Sequence, residues 1–160
     1  CVYDVTFYFA HHYLEKSDRT IDQMVQAARS GKQNIAEGAA AGNTSKETEI
    51  KLTNVAKASL QELLVDYEDF LRVRGLKQWQ PDDARLAQTK RACAAHNDSE
   101  YYRKAMPERS AETIANIAIT LIHQTDWLLN KLIEKLEIQF VENGGVKEQM
   151  TKARKEYRGY

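Results

Sequence analysis

Apolar residues recur along this chain at intervals of three and four. Tyr3, Phe7, Ala10 and Leu14 keep the helical period from Val2 to Leu14 and predict a first helix. Glu15, Lys16, Ser17 and Asp18 interrupt it with a polar turn. Ile21, Met24, Val25, Ala28, Gly31, Ile35 and Ala39 then mark a second stripe, expected to stop at Gly42 in left-handed geometry. Thr44 and Glu47 have the spacing of a capping box, in which hydroxyl and carboxylate satisfy orphaned amide hydrogens. The third helix predicted from there carries Leu52, Val55, Ala56, Ser59, Leu60, Leu63, Leu64, Tyr67, Phe70 and Leu71 to Gly75, roughly 45 Å at about 1.5 Å per residue.

Between Gly75 and Ser110 the periodicity weakens. Pro81-Asp82-Asp83 reads as the start of a short helix to Ala95, and His96 to Glu100 as a polar turn. Ser110 opens the last long helix, with Ile114, Ile117, Ala118, Leu121, Ile122, Leu128, Leu129, Leu132, Ile133, Leu136 and Phe140 on its apolar side and Asn143-Gly144-Gly145 at its end. Long helices joined by short turns predict an all-α fold, an up-and-down antiparallel four-helix bundle over residues 1–143. An additional short helix lies in the connection between its third and fourth helices, and a basic C-terminal suffix occupies 144–160.

The third helix carries two apolar seams side by side. Leu52, Ala56, Ser59, Leu63 and Phe70 form one; Leu60, Leu64, Tyr67 and Leu71 form the other. One seam is expected to face the bundle and the second, Leu60, Leu64, Tyr67 and Leu71, a neighbouring copy of the chain. A single wide core is the alternative.

Composition narrows the function classes. The chain has 160 residues, is 42% hydrophobic and 29% charged, and contains only two prolines, which suits one domain of long helices. Formal net charge is zero, so any basic surface that meets an anionic partner has to be local. Cys1 and Cys93 are too few for a disulfide framework and point to a reducing cytoplasm. The most apolar stretch, Ile114 to Ile122, is broken by Asn116 and Thr120, well short of the roughly 20 residues of a membrane span. The chain opens without Met and already in an amphipathic pattern, so the true N-terminus is expected upstream.

Catalytic and metal signatures are sparse. The Glu-x-x-His pairs of di-iron bundles are missing, because the residues three before His11, His12, His96 and His123 are Tyr8, Phe9, Cys93 and Thr120. Cys93-x-x-His96 is a lone pair without partners at zinc spacing. Asp66, Glu68 and Asp69 read as solvated helix surface. No catalytic role, metal or cofactor is expected. Two basic clusters are candidates for nucleic acid: Arg72, Arg74, Lys77, Lys90 and Arg91 near Trp79, and Lys152, Arg154, Lys155 and Arg158, together with Lys147, near Tyr157 and Tyr160. Cations contact phosphates and exposed aromatics stack on unpaired bases; an ordinary solvated surface is the alternative.

The stretch Ser30-Gly31-Lys32-Gln33-Asn34-Ile35-Ala36-Glu37-Gly38 sets two glycines inside a helical pattern. Gly31 predicts a close approach of the neighbouring backbone, and Asn34 and Glu37 beside it need partners, with Lys51, Arg29 or a helix end in reach. Ala27-Ala28-x-Ser30, then Asn34-Ile35-Ala36-Glu37-Gly38, then Ser59-Leu60-x-Glu62-Leu63 resembles the signature of the four helix bundle protein family, in its suffix variant. That family includes proteins encoded in intervening sequences of bacterial 23S ribosomal RNA genes and the accessory variability determinant of diversity-generating retroelements. The resemblance implies a left-handed antiparallel bundle assembling into a homo-oligomeric ring, typically a pentamer, without catalytic activity. It also implies contacts to RNA or DNA and to a reverse transcriptase through positive surface. Asn34, Glu37, Gly38, Ser59 and Glu62 take a structural role under this resemblance, keeping helices two and three together. The functional expectation is a ring-forming accessory protein that binds nucleic acid or acts as a scaffold; the alternative is a protein-interaction module whose basic tail docks an acidic partner.

Overall fold

The computed structural model describes residues 1–159 and is all-helical, with no strand among them. Seven α-helices follow in order: α1 Val2–Tyr13, α2 Thr20–Ala41, α3 Lys46–Val73, α4 Ala84–Ala95, α5 Ser99–Ala105, α6 Ala111–Asn143 and α7 Val146–Arg158. A 3-10 turn, Met106–Glu108, leads from α5 towards α6.

Most helix starts carry an oxygen acceptor at the cap. Ser45, Asp83, Asp98 and Ser110 accept from backbone amides of Thr48, Arg85, Tyr101 and Thr113, which satisfies donors that the first turn leaves orphaned. The α3 cap is therefore Ser45 rather than Thr44, and no capping box forms with Glu47. Thr44 instead donates its hydroxyl hydrogen backwards to Ala41 O. Asp98 converts the expected polar turn at 96–100 into the start of α5. Gly75 ends α3 with φ +64, and Leu76 N–H reaches back to Leu71 O at 2.9 Å, the six-to-one bond of a Schellman ending. Gly42 differs: its φ of −62 is ordinary right-handed helix, which corrects the left-handed expectation.

α3 is the central element, packed along α2 on one side and α6 on the other, while α1 packs against α2 and α6. Individual pairs fix the directions. Gly31 meets Leu60 and Gly38 meets Leu52, so α2 and α3 run antiparallel. Tyr67 donates to Thr6 Oγ1 at 2.9 Å and Phe9 lies 4.7 Å from Phe70, so α1 runs with α3. Lys57 of α3 bonds Asn130 of α6 and Tyr13 donates to Arg109 O at 3.0 Å, so α6 returns against both. The core where α1, α3 and α6 meet holds Val5, Phe9, Leu63, Tyr67, Ile114 and Ile122 with almost no exposed surface. Burial pushes the Tyr67 phenol far above its ordinary range, against the opposing effect of its bond to Thr6.

This packing corrects the expected oligomer seam. Leu60, Leu64, Tyr67 and Leu71 are 2%, 7%, 0% and 1% exposed within a single chain and have almost no surface left to bury against a second copy. Both seams of the third helix are used internally because α2 and α6 flank it on two sides, so the single wide core is what forms.

Candidate functional site

The α2–α3 crossing explains the glycine pair. A Cβ at Gly31 would lie 3.0 Å from Leu60 Cδ2, and one at Gly38 would lie 3.3 Å from Leu52 Cβ. Two glycines seven residues apart thus line one face of α2 and let α3 come close. Beside them Asn34 Nδ2 donates to Ser30 O at 2.9 Å and to Ser30 Oγ at 3.2 Å, while the Ser30 and Ser59 hydroxyls meet across the helices at 2.8 Å. Asn34, Gly38 and Ser59 therefore sit at the helix–helix contact. Glu37 and Glu62 do not: both are exposed, and neither has a hydrogen bond or ion pair among the described residues. The carboxylate taken out of water here is Glu49, 8% exposed, whose Oε2 lies 3.5 Å from Lys46 Nζ. A Cβ at Gly42 would fall 1.9 Å from that oxygen, so a larger residue here would require the Glu49 carboxylate to shift. Burial raises the pKa of Asp66, and the neighbouring Asp69 and Glu62 carboxylates raise it further.

The first basic cluster does not make one free patch. Arg72 pairs with Asp69 at 2.9 Å, Arg74 lies over the Phe70 ring at 4.0 Å, and Lys77 pairs with Asp83 at 3.5 Å. Asp83 also takes Arg85 at 2.8 Å, and that guanidinium, hydrogen-bonded to it, is the first cause holding its carboxyl well below the usual range. Lys90 and Arg91, on α4, have no ion pair among the described residues. The second cluster is freer. Lys147, Lys152, Arg154, Lys155 and Arg158 are all exposed on α7, which buries no residue of its own. Tyr157 beside them is 94% exposed; Tyr160 lies outside the described residues.

Cys93 is buried, its thiol pushed up by that burial, with the neighbouring Tyr102 hydroxyl acting in the opposite direction. His96 stacks on Tyr101 with ring centroids 3.6 Å apart and accepts the Tyr102 hydroxyl at its carbonyl. Among the described residues no group of three or more His, Cys, Asp or Glu side chains is placed to hold a metal ion. No described helix is long and apolar enough to cross a membrane.

Two features went unread in the sequence. The first is a bare face of α6. Asn116 and Thr120 on that face are covered, Asn116 by bonds to Trp79 N and Lys77 O at 2.8 and 2.9 Å. Further along, at helical spacing, Trp127, Ile138 and Val141 are 60%, 58% and 82% exposed, with the Lys131–Glu134 ion pair between them. α7 continues the pattern with Val146, Met150 and Tyr157 exposed along one side.

The second is a cleft of about 350 Å³ between the connection, α4 and α6, lined by Gln78, Trp79, Leu86, Lys90, Ile119, His123, Gln124 and Trp127 among others. Trp79 is 6% exposed and its indole N–H has no hydrogen-bond partner among the described residues, an omission worth about 1–3 kcal/mol. Against family models, curated proteins and solved structures alike, this chain finds no match, and its geometry is the ground on which a function can be assigned.

Proposed function

We propose that this chain is a non-enzymatic, self-assembling helical scaffold that presents basic surface to RNA or DNA. In this reading α1, α2, α3 and α6 form an up-and-down antiparallel four-helix bundle. The contact between copies lies on the bare C-terminal half of α6 and on α7 rather than on α3. One observation carries it: Ile138 and Val141 on α6 and Val146, Met150 and Tyr157 on α7 are 58%, 82%, 40%, 51% and 94% exposed, along one side of each helix. Ile138 and Val141 supply an apolar centre for that contact, and the resemblance noted in the sequence adds the expectation of a five-membered ring. Free cysteines at positions 1 and 93 fit a reducing, cytoplasmic setting.

The nucleic-acid half rests on α7, where five cations face two carboxylates with none of the cations in an ion pair among the described residues. In a ring these helices recur around the assembly, so phosphate contacts add up although the chain is neutral. Sedimentation equilibrium giving only 18.3 kDa species at micromolar concentration removes the assembly. Filter retention of RNA or DNA that does not fall with salt removes the nucleic-acid half. The second reading, docking to an acidic protein, is favoured by the stripe Val146, Met150, Ala153 and Tyr157, which suits an apolar groove with an acidic rim. Recovery of one partner protein free of nucleic acid selects it.

A further inference from the structure

Trp127 is a large aromatic side chain left open at the edge of a shaped cleft. Its ring is 60% exposed, whereas Trp79 on the same cleft is almost fully covered. Leu86 and Ile119 give that cleft apolar walls, and Lys90 adds a cation with no ion pair among the described residues. The amides of Gln78 and Gln124 are each tied by their nitrogen, to Glu68 Oε1 at 3.2 Å and to Lys90 O at 3.0 Å. Their carbonyl oxygens remain as acceptors. The walls are fixed in place, because the Gln124 bond joins α4 to α6 and Asn116 holds the connection at Trp79 N and Lys77 O.

We propose that this cleft binds an unpaired nucleotide, with its base stacked on Trp127 and its phosphate held by Lys90. The inference deepens the nucleic-acid half of the reading above and rests on it where the nucleotide belongs to a strand. Each requirement follows from the chemistry. Lys131 Nζ stands over one face of the Trp127 ring at 6.0 Å from its centroid, and the rest of this exposed indole is left to stack on a base, an interaction that tolerates sequence. A cation at the side of the cleft meets a phosphate, and acceptor oxygens meet the exocyclic amino groups of adenine or cytosine. The volume, near the lower bound for ligand pockets, admits one nucleotide rather than a duplex. Duplex DNA or RNA keeps its bases stacked inside, so the site selects single strands and free nucleotides.

Intrinsic fluorescence of the full chain tests this, since the exposed Trp127 reports on the cleft while Trp79 is shielded. Adenosine monophosphate, inorganic phosphate and an oligoadenylate single strand are titrated in turn. Oligoadenylate is expected to quench the emission, and phosphate alone is not. Trp127→Ala should remove the quenching and weaken oligoadenylate binding about fivefold or more, with Trp127→Phe retaining part of it. Lys90→Ala should lower the salt dependence of binding by about one phosphate contact. Both positions are at the surface, and unchanged far-ultraviolet circular dichroism certifies the fold. Quenching by adenosine monophosphate alone overturns the single-strand assignment of the cleft, makes it a free-nucleotide site and leaves the α7 reading standing. Oligoadenylate retained on filters with neither quenching nor any effect of Trp127→Ala overturns the cleft and leaves the α7 reading standing. No binding in either assay overturns both.

Discussion

Gly31 on α2 and Leu60 on α3 are packed so closely that a Cβ on the glycine would lie 3.0 Å from Leu60 Cδ2 and 3.2 Å from its Cγ. Leu60 is itself 2% exposed and has no room to retreat. Replacing Gly31 by Ala gains about 1 kcal/mol of helix propensity, so the clash and the propensity oppose each other. Gly31→Val removes the ambiguity, because it overfills the crossing without that gain. It is expected to destabilise the fold by about 1–3 kcal/mol in a urea titration. Unchanged stability would mean that α2 and α3 are less tightly apposed.

The buried bond from Tyr67 to Thr6 Oγ1, 2.9 Å long, ties α3 to α1. Tyr67→Phe leaves the Thr6 hydroxyl without its donor in the core, and a loss of about 1–3 kcal/mol is expected. Adding Thr6→Val removes the stranded group and should return part of that loss. The double-mutant cycle then gives a coupling of about 1 kcal/mol, and strict additivity would deny the contact.

Residue spacing made the helices legible and left their surroundings obscure. The three-four period placed α1, α2, α3 and α6 to within a few residues because each has an unbroken apolar stripe. It could not say what covers a stripe. Leu60 and Leu64 look the same to a sequence whether α6 or another chain lies over them, and the structure puts them inside. Thr44 and Ser45 both offer hydroxyls, so the cap of α3 was open to a one-residue error. Gly42 was assigned a backbone role, whereas its backbone is right-handed and its neighbour is the Glu49 carboxylate, from a turn of α3 that sequence spacing does not bring to mind. Trp127 escaped attention among the aliphatic neighbours of its helix; its seven-residue spacing from Thr120, which places both on one face, was the available signal.

Raising the pH into the alkaline range should destabilise this protein. Burial raises the Cys93 thiol and the Tyr67 and Tyr102 phenols above their ordinary values. In the unfolded chain a thiol releases its proton near pH 8.5 and a phenol near pH 10, about where model peptides do. Above those values the unfolded state binds fewer protons than the folded one, so stability falls as pH rises. Stability contributed by these groups is fully present below about pH 8 and declines progressively beyond it. Urea midpoints measured from pH 7 to pH 11 check this; a midpoint rising across the interval would contradict it.

Position decides what a charge does on the apolar surfaces of this chain. Ile138→Glu combined with Val141→Glu places two carboxylates on the bare face of α6, where the native residues are 58% and 82% exposed. The folded monomer should keep its thermal midpoint within a few degrees, since exposed substitutions are usually worth less than about 0.5 kcal/mol. The assembly, if α6 forms its contact, should dissociate to 18.3 kDa by light scattering. Leu64→Glu, at a site 7% exposed, should unfold the chain instead. Retained assembly in the double variant would move the contact between copies elsewhere.

α7 supplies a sharper discriminant, because a helix of 13 residues that buries nothing has little to hold it together. Isolated helices shorter than about 12–15 residues are marginal in water, and the stabilising features present are local ones. Gly145 N–H donates to Glu148 Oε2 at 2.6 Å, and Lys155 and Arg158 sit in the last turn where they oppose the helix dipole. Hydrogen exchange at residues 146–158 should therefore be fast in dilute protein, whereas α3 amides exchange through global unfolding. Concentrating the protein should slow exchange in α7 if copies cover Val146, Met150 and Tyr157; adding RNA at fixed low concentration should slow it if phosphates hold Lys147, Arg154 and Arg158. The two protections differ in salt response, since raising ionic strength weakens the second and leaves apolar contact between copies largely intact. Slow exchange throughout α7 in dilute protein without RNA would show that the helix is already covered within its own chain.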